Sequence, residues 1–283
     1  MSTAGESPLA MPADGRVLVV GDAHGSEPHL LGLVQGAAEA GLSTIVQLGD
    51  TFGTHPARSA RAMDAVSGAC VEHGVTFLWL DGNHDRHVGL LDRLPTDPVT
   101  GLHPCRPHVW HLPRGASWTW GGCRWTAVGG AVSVDAAVRT YGADWWLEEE
   151  LTDADIDRVV AEVGVTDVLL SHDRPAWVEP ALGQAPGAWW QHMPFRWSED
   201  DFRRSQAHQR RLDRLVTALR PKLHLHGHLH RRYDLVTDES PWGGRTRVSG
   251  LAREPMQGNT LVVPCAPDFD RLLADTGTQG DAW

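Results

Sequence analysis

Five times in this chain an apolar run of strand length stops at side chains able to bind metal. The third instance is the plainest: Val75-Thr76-Phe77-Leu78-Trp79-Leu80 runs straight into Asp81-Gly82-Asn83-His84-Asp85. An apolar strand ends, a glycine permits a sharp turn, and an amide, an imidazole and a carboxylate follow at once. The other four ends are Asp22-Ala23-His24 after residues 16–20, Gly49-Asp50 after 44–48, Ser171-His172 after 166–170, and Gly227-His228-Leu229-His230 after 222–226. This repetition requires a fold in which buried strands finish close to one another.

The segments between these ends supply such a fold. Residues 28–40 carry Leu30, Leu31, Leu33, Val34 and Ala37 at helical spacing, with Gly41 as a stop. Pro56 can open a second helix running to 73, with Ala60, Met63, Val66 and Cys70 along one face. Strand, helix, strand, helix, strand at this spacing predicts βαβ units and a parallel sheet, an α/β class of fold. Right-handed crossovers put the three strand ends at one edge, where ligands of open α/β sheets bind. Further on, 117–120 and 124–128 read as a hairpin around Gly121-Gly122. Thr152 can cap a helix to 162, and residues 200–219 form an amphipathic helix whose basic positions 203–211 lie on its solvated face. Strands near 231–236, 245–251 and 260–264 predict an antiparallel finish. Residues 1–13 read as a flexible leader, 14–267 as one domain, and 268–283 as a frayed tail. Residues 86–117 and 174–199 read as long connections, the second as a loop over the active face.

Charge and cysteine content exclude several functions. The formal charge of −11 argues against a broad grip on nucleic acid or an anionic membrane, since both need a basic face. No apolar run approaches transmembrane length, and the start of the chain has no signal-peptide pattern. Cys70, Cys105, Cys123 and Cys265 form no C-x-x-C pair, which fits reduced thiols in a cytoplasmic protein.

The five ends supply Asp22, His24, Asp50, Asn83, His172, His228 and His230 as candidate metal ligands, with His84 left over. Mixed imidazole and carboxylate donors suit manganese, iron, zinc, cobalt or nickel better than calcium or magnesium. Seven ligands are too many for one catalytic zinc and fit two divalent ions sharing a carboxylate. The ordered set Asp-x-His, Gly-Asp, Gly-Asn-His-Asp, His and Gly-His-x-His resembles the calcineurin-like metallophosphoesterase superfamily, from Asp22 to His230. That resemblance implies a β-sandwich of two mixed sheets flanked by α-helices, with a dinuclear site at one edge. It implies Asp22, His24 and His230 on one metal, Asn83, His172 and His228 on the other, and Asp50 bridging them. It also implies His84 over the phosphate as general acid or transition-state donor, oriented by Asp85. Thr51-Phe52-Gly53 and a third motif ending in Asp85 separate the chain from the protein Ser/Thr phosphatase branch.

The expected chemistry is metal-dependent hydrolysis of a small phosphodiester or phosphomonoester, with manganese placed first. Two divalent ions offset by Asp22, Asp50 and one hydroxide leave roughly one positive charge, which attracts phosphate. A bridging hydroxide can then attack phosphorus in line. Arg86, Arg174 and Arg231 follow the third, fourth and fifth motifs and are candidate phosphate contacts. His87 is a weaker candidate, and His226 reads as packed or as supporting the ligands. Trp177, Trp189, Trp190 and Trp197 read as loop packing, with a nucleobase platform as the other option. The alternative from another class is a non-catalytic, protein-binding member of the same fold. Such a chain typically lacks ligands or the histidine at position 84, and this one retains them all.

Overall fold

The architecture follows from strands that are apolar on both faces. A strand with one apolar face needs one covering layer; a strand apolar throughout needs two. In the computed structural model, which describes residues 7–184, 198–274 and 279–280, β1 (Arg16–Val20), β2 (Thr44–Gln47) and β3 (Thr76–Trp79) are such strands. Val17, Val19, Val46 and Leu78 point to one side, into a core shared with the second sheet. Leu18, Val20, Ile45, Phe77 and Trp79 point to the other, under helices α1 (Glu27–Glu39) and α2 (Pro56–His73).

β4 (His103–Arg106) and β5 (Val109–His111) complete this sheet together with β12 (Thr260–Pro264), in the order β12-β1-β2-β3-β5-β4. β1, β2, β3 and β5 run parallel, and β12 and β4 are antiparallel edges. The long connection expected at 86–117 therefore contains two short strands. Their composition of His, Pro, Cys and Arg hides them, and β5 spans three residues.

The second sheet is built on β6 (Ala116–Trp120), β7 (Cys123–Val128), β8 (Val168–Ser171), β9 (Leu223–His226), β10 (Tyr233–Thr237), β11 (Thr246–Gly250) and β13 (Gln279–Gly280). Its order is β13-β10-β11-β9-β8-β7-β6. Trp120, Trp125, Val168, Leu170, Leu223 and Leu225 face the first sheet and close the sandwich. On the outer face Leu169 and Val128 meet Ile156, Val159, Leu212, Leu215 and Leu219 of α3 (Asp153–Val163) and α5 (Glu199–Leu219). α3 opens on a reciprocal cap: Thr152 Oγ1 accepts from Asp155 N, and Asp155 Oδ2 from Thr152 N.

The ends of the chain differ from expectation. Within the leader, Leu9 packs on the shared core and its carbonyl accepts from Trp120 Nε1 at 2.9 Å. In the tail, α6 (Phe269–Ala274) lays Phe269 and Leu272 on the same core. The loop expected at 174–199 includes the short α4 (Val178–Ala181). Residues 185–197, with Trp189, Trp190 and Trp197, lie outside the described residues, as do 1–6, 275–278 and 281–283. No described helix is long and apolar enough to cross a membrane.

Candidate metal centre

β1, β2 and β3 of one sheet and β8 and β9 of the other all end at the same edge of the sandwich, so five loops converge there. Backbone bonds stitch them: Ala23 N and His24 N both donate to Asp50 O, at 3.1 and 2.7 Å. Asp85 is the central staple. Its Oδ1 accepts from Thr51 N and Phe52 N at 3.0 and 3.1 Å, and its Oδ2 from Gly82 N at 2.9 Å. That corrects the expected role of Asp85: its oxygens are taken by backbone donors of the second and third loops, leaving none directed at His84.

The loops are held in an unusual backbone state. Six non-glycine residues among those described have positive φ, and four of them are His24, Asp50, His228 and His230. Each such residue costs on the order of 1 kcal/mol or more, and strain of this kind collects where a side chain must be aimed. Two glycines serve space rather than turning. A Cβ on Gly82 would sit 2.2 Å from Asp50 Oδ1, and one on Gly227 would sit 2.3 Å from Asp22 Oδ1. Gly82 is thus required by the approach of Asp50, a different reason from the sharp turn expected of it.

The seven candidate ligands form two sets meeting at Asp50. In the first, the ligand atoms of Asp22, His24, Asp50 and His230 all lie within 4.8 Å of one another. Asp22 Oδ2 is 3.1 Å from His230 Nε2, and Asp50 Oδ2 is 3.5 Å from His24 Nε2. In the second, His172 Nε2 is 3.2 Å from Asn83 Oδ1 and 3.3 Å from Asp50 Oδ1, and the His228 ring lies 5.1 Å from that of His172. The two oxygens of Asp50 thus face different histidines.

The donor set fits divalent cations. His172 Nδ1 bonds to the Leu48 carbonyl at 2.6 Å, and His24 Nδ1 to the Glu254 carboxylate at 2.9 Å. Both partners only accept, so each Nδ1 carries the hydrogen and each Nε2 turns its lone pair inward. Around His172 three acceptor atoms then crowd together with no hydrogen between them, an arrangement that needs a cation at its centre. A proton takes that place when no metal does. Burial opposes charge on His172 and His24, yet Asp50 outweighs it and pushes them up to about 10 and about 9. Burial likewise works against Asp22 and Asp50, and the surrounding imidazoles hold both below the usual carboxylate range.

His84 lies beside the first set, its ring 5.7 Å from that of His24, and its backbone N–H donates to Asp50 Oδ1 at 2.7 Å. Burial pushes its imidazole down to about 4, with Arg139 and His24 reinforcing that against Asp50. The cation beside His84 is Arg139, whose Nη2 lies 3.4 Å from His84 Nε2. Arg139 is clamped by both oxygens of Asp135 at 2.6 and 2.7 Å and by the Asp144 carbonyl at 3.2 Å.

Two of the three arginines expected at the phosphate are engaged by other groups. Arg174 is buried, with Nη2 2.9 Å from Glu179 Oε2, and its charge is spent beneath α4. Arg86 lies over the Trp146 ring at 5.6 Å and donates to the Thr54 carbonyl. Arg231 is half-buried and is not among the residues lining the cavity over His24 and His84. His87 is buried and holds the Gly82 carbonyl at 2.8 Å, and His226 pairs with the Tyr233 hydroxyl.

Several supporting residues escaped the sequence. Glu254 follows β11 with no motif around it. Asn83 Nδ2 donates to Ser133 Oγ at 3.2 Å, and Ser133 Oγ donates to Glu149 Oε2 at 2.9 Å, which turns the Asn83 carbonyl towards His172. Arg139, Ser133 and Glu149 all belong to the irregular stretch 129–151. The i, i+4 spacing of Asp135 and Arg139 was the one available signal there.

The family model described as calcineurin-like phosphoesterase matches residues 15–232. No curated protein matches the chain. Among solved structures, a dimetal phosphatase from Danio rerio is 14% identical with a TM-score of 0.51, covering 84% of this chain and 87% of that one. A second crystal structure, also 14% identical, reaches 0.53 over 90% of this chain and 100% of that chain. A Thermus thermophilus protein, 12% identical, gives 0.47 over 89% and 99%. The first two of these similarities show the fold. The family match spans most of the sequence and takes in all five strand ends, so the chain belongs to the calcineurin-like phosphoesterase family.

Proposed function

We propose that the protein hydrolyses a phosphomonoester or phosphodiester of a small molecule at a centre of two divalent ions, manganese first among them. Asp22, His24 and His230 would hold one ion, Asn83, His172 and His228 the other, and Asp50 would serve both. The single observation that carries this reading is Asp50: one oxygen lies 3.3 Å from His172 Nε2 and the other 3.5 Å from His24 Nε2. When bound, the ions supply Lewis acidity towards phosphoryl oxygens and lower the pKa of coordinated water.

The chain's own residues do the rest. Arg139, fixed by Asp135, presents guanidinium N–H groups beside His84, where the phosphoryl oxygens of a bound ester gather charge. His84 acts as a hydrogen-bond donor to the ester's oxygens, with the proton taken up by the leaving oxygen coming from the attacking water, and its backbone N–H fixes Asp50. Glu254 and the Leu48 carbonyl keep His24 and His172 in the tautomer with Nε2 inward.

The test is hydrolysis of p-nitrophenyl phosphate and bis-p-nitrophenyl phosphate by protein loaded with Mn²⁺. Turnover well above the metal-free control is expected, and His84→Ala should slow it while leaving metal content intact. No turnover with Mn, Co, Ni, Fe or Zn would sink the proposal. Failure to take up metal would favour the non-catalytic, protein-binding alternative.

A further inference from the structure

The metal centre opens into a cavity of about 320 Å³ whose far wall is basic. His24 and His84 form its inner end; Arg139, Thr54, His55 and Arg58 continue it outward. No carboxylate lines it among the described residues, in a chain whose formal charge is −11. Arg58 is exposed and makes no ion pair among the described residues. His55 Nδ1 accepts from Arg58 N at the start of α2, so the neutral ring carries its hydrogen on Nε2, available as a donor. The eighteen-residue α2 also turns its positive end towards this wall.

Arg139 and Arg58 are in different situations. Arg139 is held by Asp135 next to His84, which suits it to the phosphoryl group being cleaved. Arg58 has no carboxylate partner among the described residues and lines the same cavity at its exposed rim, whereas Arg139 is half-buried beside His84. A guanidinium facing a cavity free of carboxylates recognises a second anionic group.

We infer that the outer cavity is an anion subsite built on Arg58 and His55, and that the substrate is a small molecule carrying a second phosphoryl group next to the one cleaved. This rests on the phosphoesterase function proposed above. The reaction itself is unchanged: water adds to phosphorus, the bond from phosphorus to the leaving oxygen breaks, and that oxygen takes up a proton. What the subsite adds is selection among esters.

The experiment compares two nucleotides differing by one phosphoryl group. α,β-Methylene-ADP and AMP are titrated calorimetrically into the metal-loaded protein, with Mn²⁺ in excess over nucleotide. The wild-type protein should bind α,β-methylene-ADP roughly tenfold more tightly than AMP, and Arg58→Ala should bring the ratio of the two affinities close to one. Equal affinities in the wild type, or a ratio that Arg58→Ala leaves unchanged, overturns the inference. The two proposals fail separately. An Arg58-dependent preference without ester turnover under any metal removes the phosphoesterase function and leaves the subsite. Ester turnover without the preference does the reverse.

Discussion

The two halves of the candidate metal centre are built differently although both face Asp50. In the first, the His24 and His230 side chains are 22% and 29% exposed, and His24 is backed by the charged Glu254. In the second, His172 is fully buried and backed by a neutral backbone carbonyl, while Asn83 is oriented through Ser133 and Glu149. A ligand backed by a carboxylate gains basicity and holds its metal through charge. A ligand locked by burial and backbone holds it through geometry. The first half is therefore the one that solvent and chelators reach, and the second is the one that sequence changes at a distance can disturb.

The largest effect should come from removing what the halves share. Asp50→Asn deletes the carboxylate that faces both, so both metals should be lost or weakened together and kcat/KM should fall roughly 10³-fold or more. Metal content by elemental analysis decides this; loss of one ion alone would show that Asp50 serves a single half. Next comes Ser133→Ala, which frees the Asn83 amide to rotate. The second half should lose about 10- to 100-fold in metal affinity while the first is unaffected. Two-phase metal titration separates them, and a uniform drop would contradict the independence of the halves. A smaller effect, about tenfold on the first half, is expected from Glu254→Gln, which keeps a partner for His24 Nδ1 and removes its charge. Faster metal loss to a chelator, with the second ion retained, is the result to look for.

How much of this was legible in the sequence follows from where each residue sits. Asp22, His24, Asp50, Asn83, His172, His228 and His230 stand immediately after apolar strand-forming runs. Strand ends are set by local pattern, and parallel connections bring such ends to one edge. Arg139, Ser133, Glu149 and Glu254 stand in irregular stretches where no periodicity fixes direction, so only the folded chain brings them to the site. Asp85 shows a subtler limit. Its position was readable and its partners were not, because a carboxylate next to a histidine in sequence can equally turn away to cap backbone amides. Arg174 failed for the opposite reason: adjacency to His172 suggested phosphate, while Glu179, five residues on, returned through α4 and took the charge. β4 and β5 were missed because three or four residues of mixed composition carry too little pattern.

The buried Glu149 allows one more cut between the halves, through pH. Burial raises its carboxyl to about 8 against the hydrogen bonds from Ser133, from an ordinary value of 4.5. Between those values the folded chain holds a proton that the unfolded chain has released, so stability is full below about pH 4.5 and falls as pH rises towards 8. The loss is on the order of 3 kcal/mol at pH 7. Glu149→Gln cannot ionise, and its melting temperature should fall less between pH 5 and 8 than that of the wild type. Cations bound at Asn83 favour the ionised carboxylate, so metal loading should flatten the wild-type profile too, through the second half alone. A Glu254→Gln protein that keeps only its second ion should still show this flattening. If it does not, Glu149 is linked to the first half, and the division of the centre drawn from Ser133 and Glu254 is wrong.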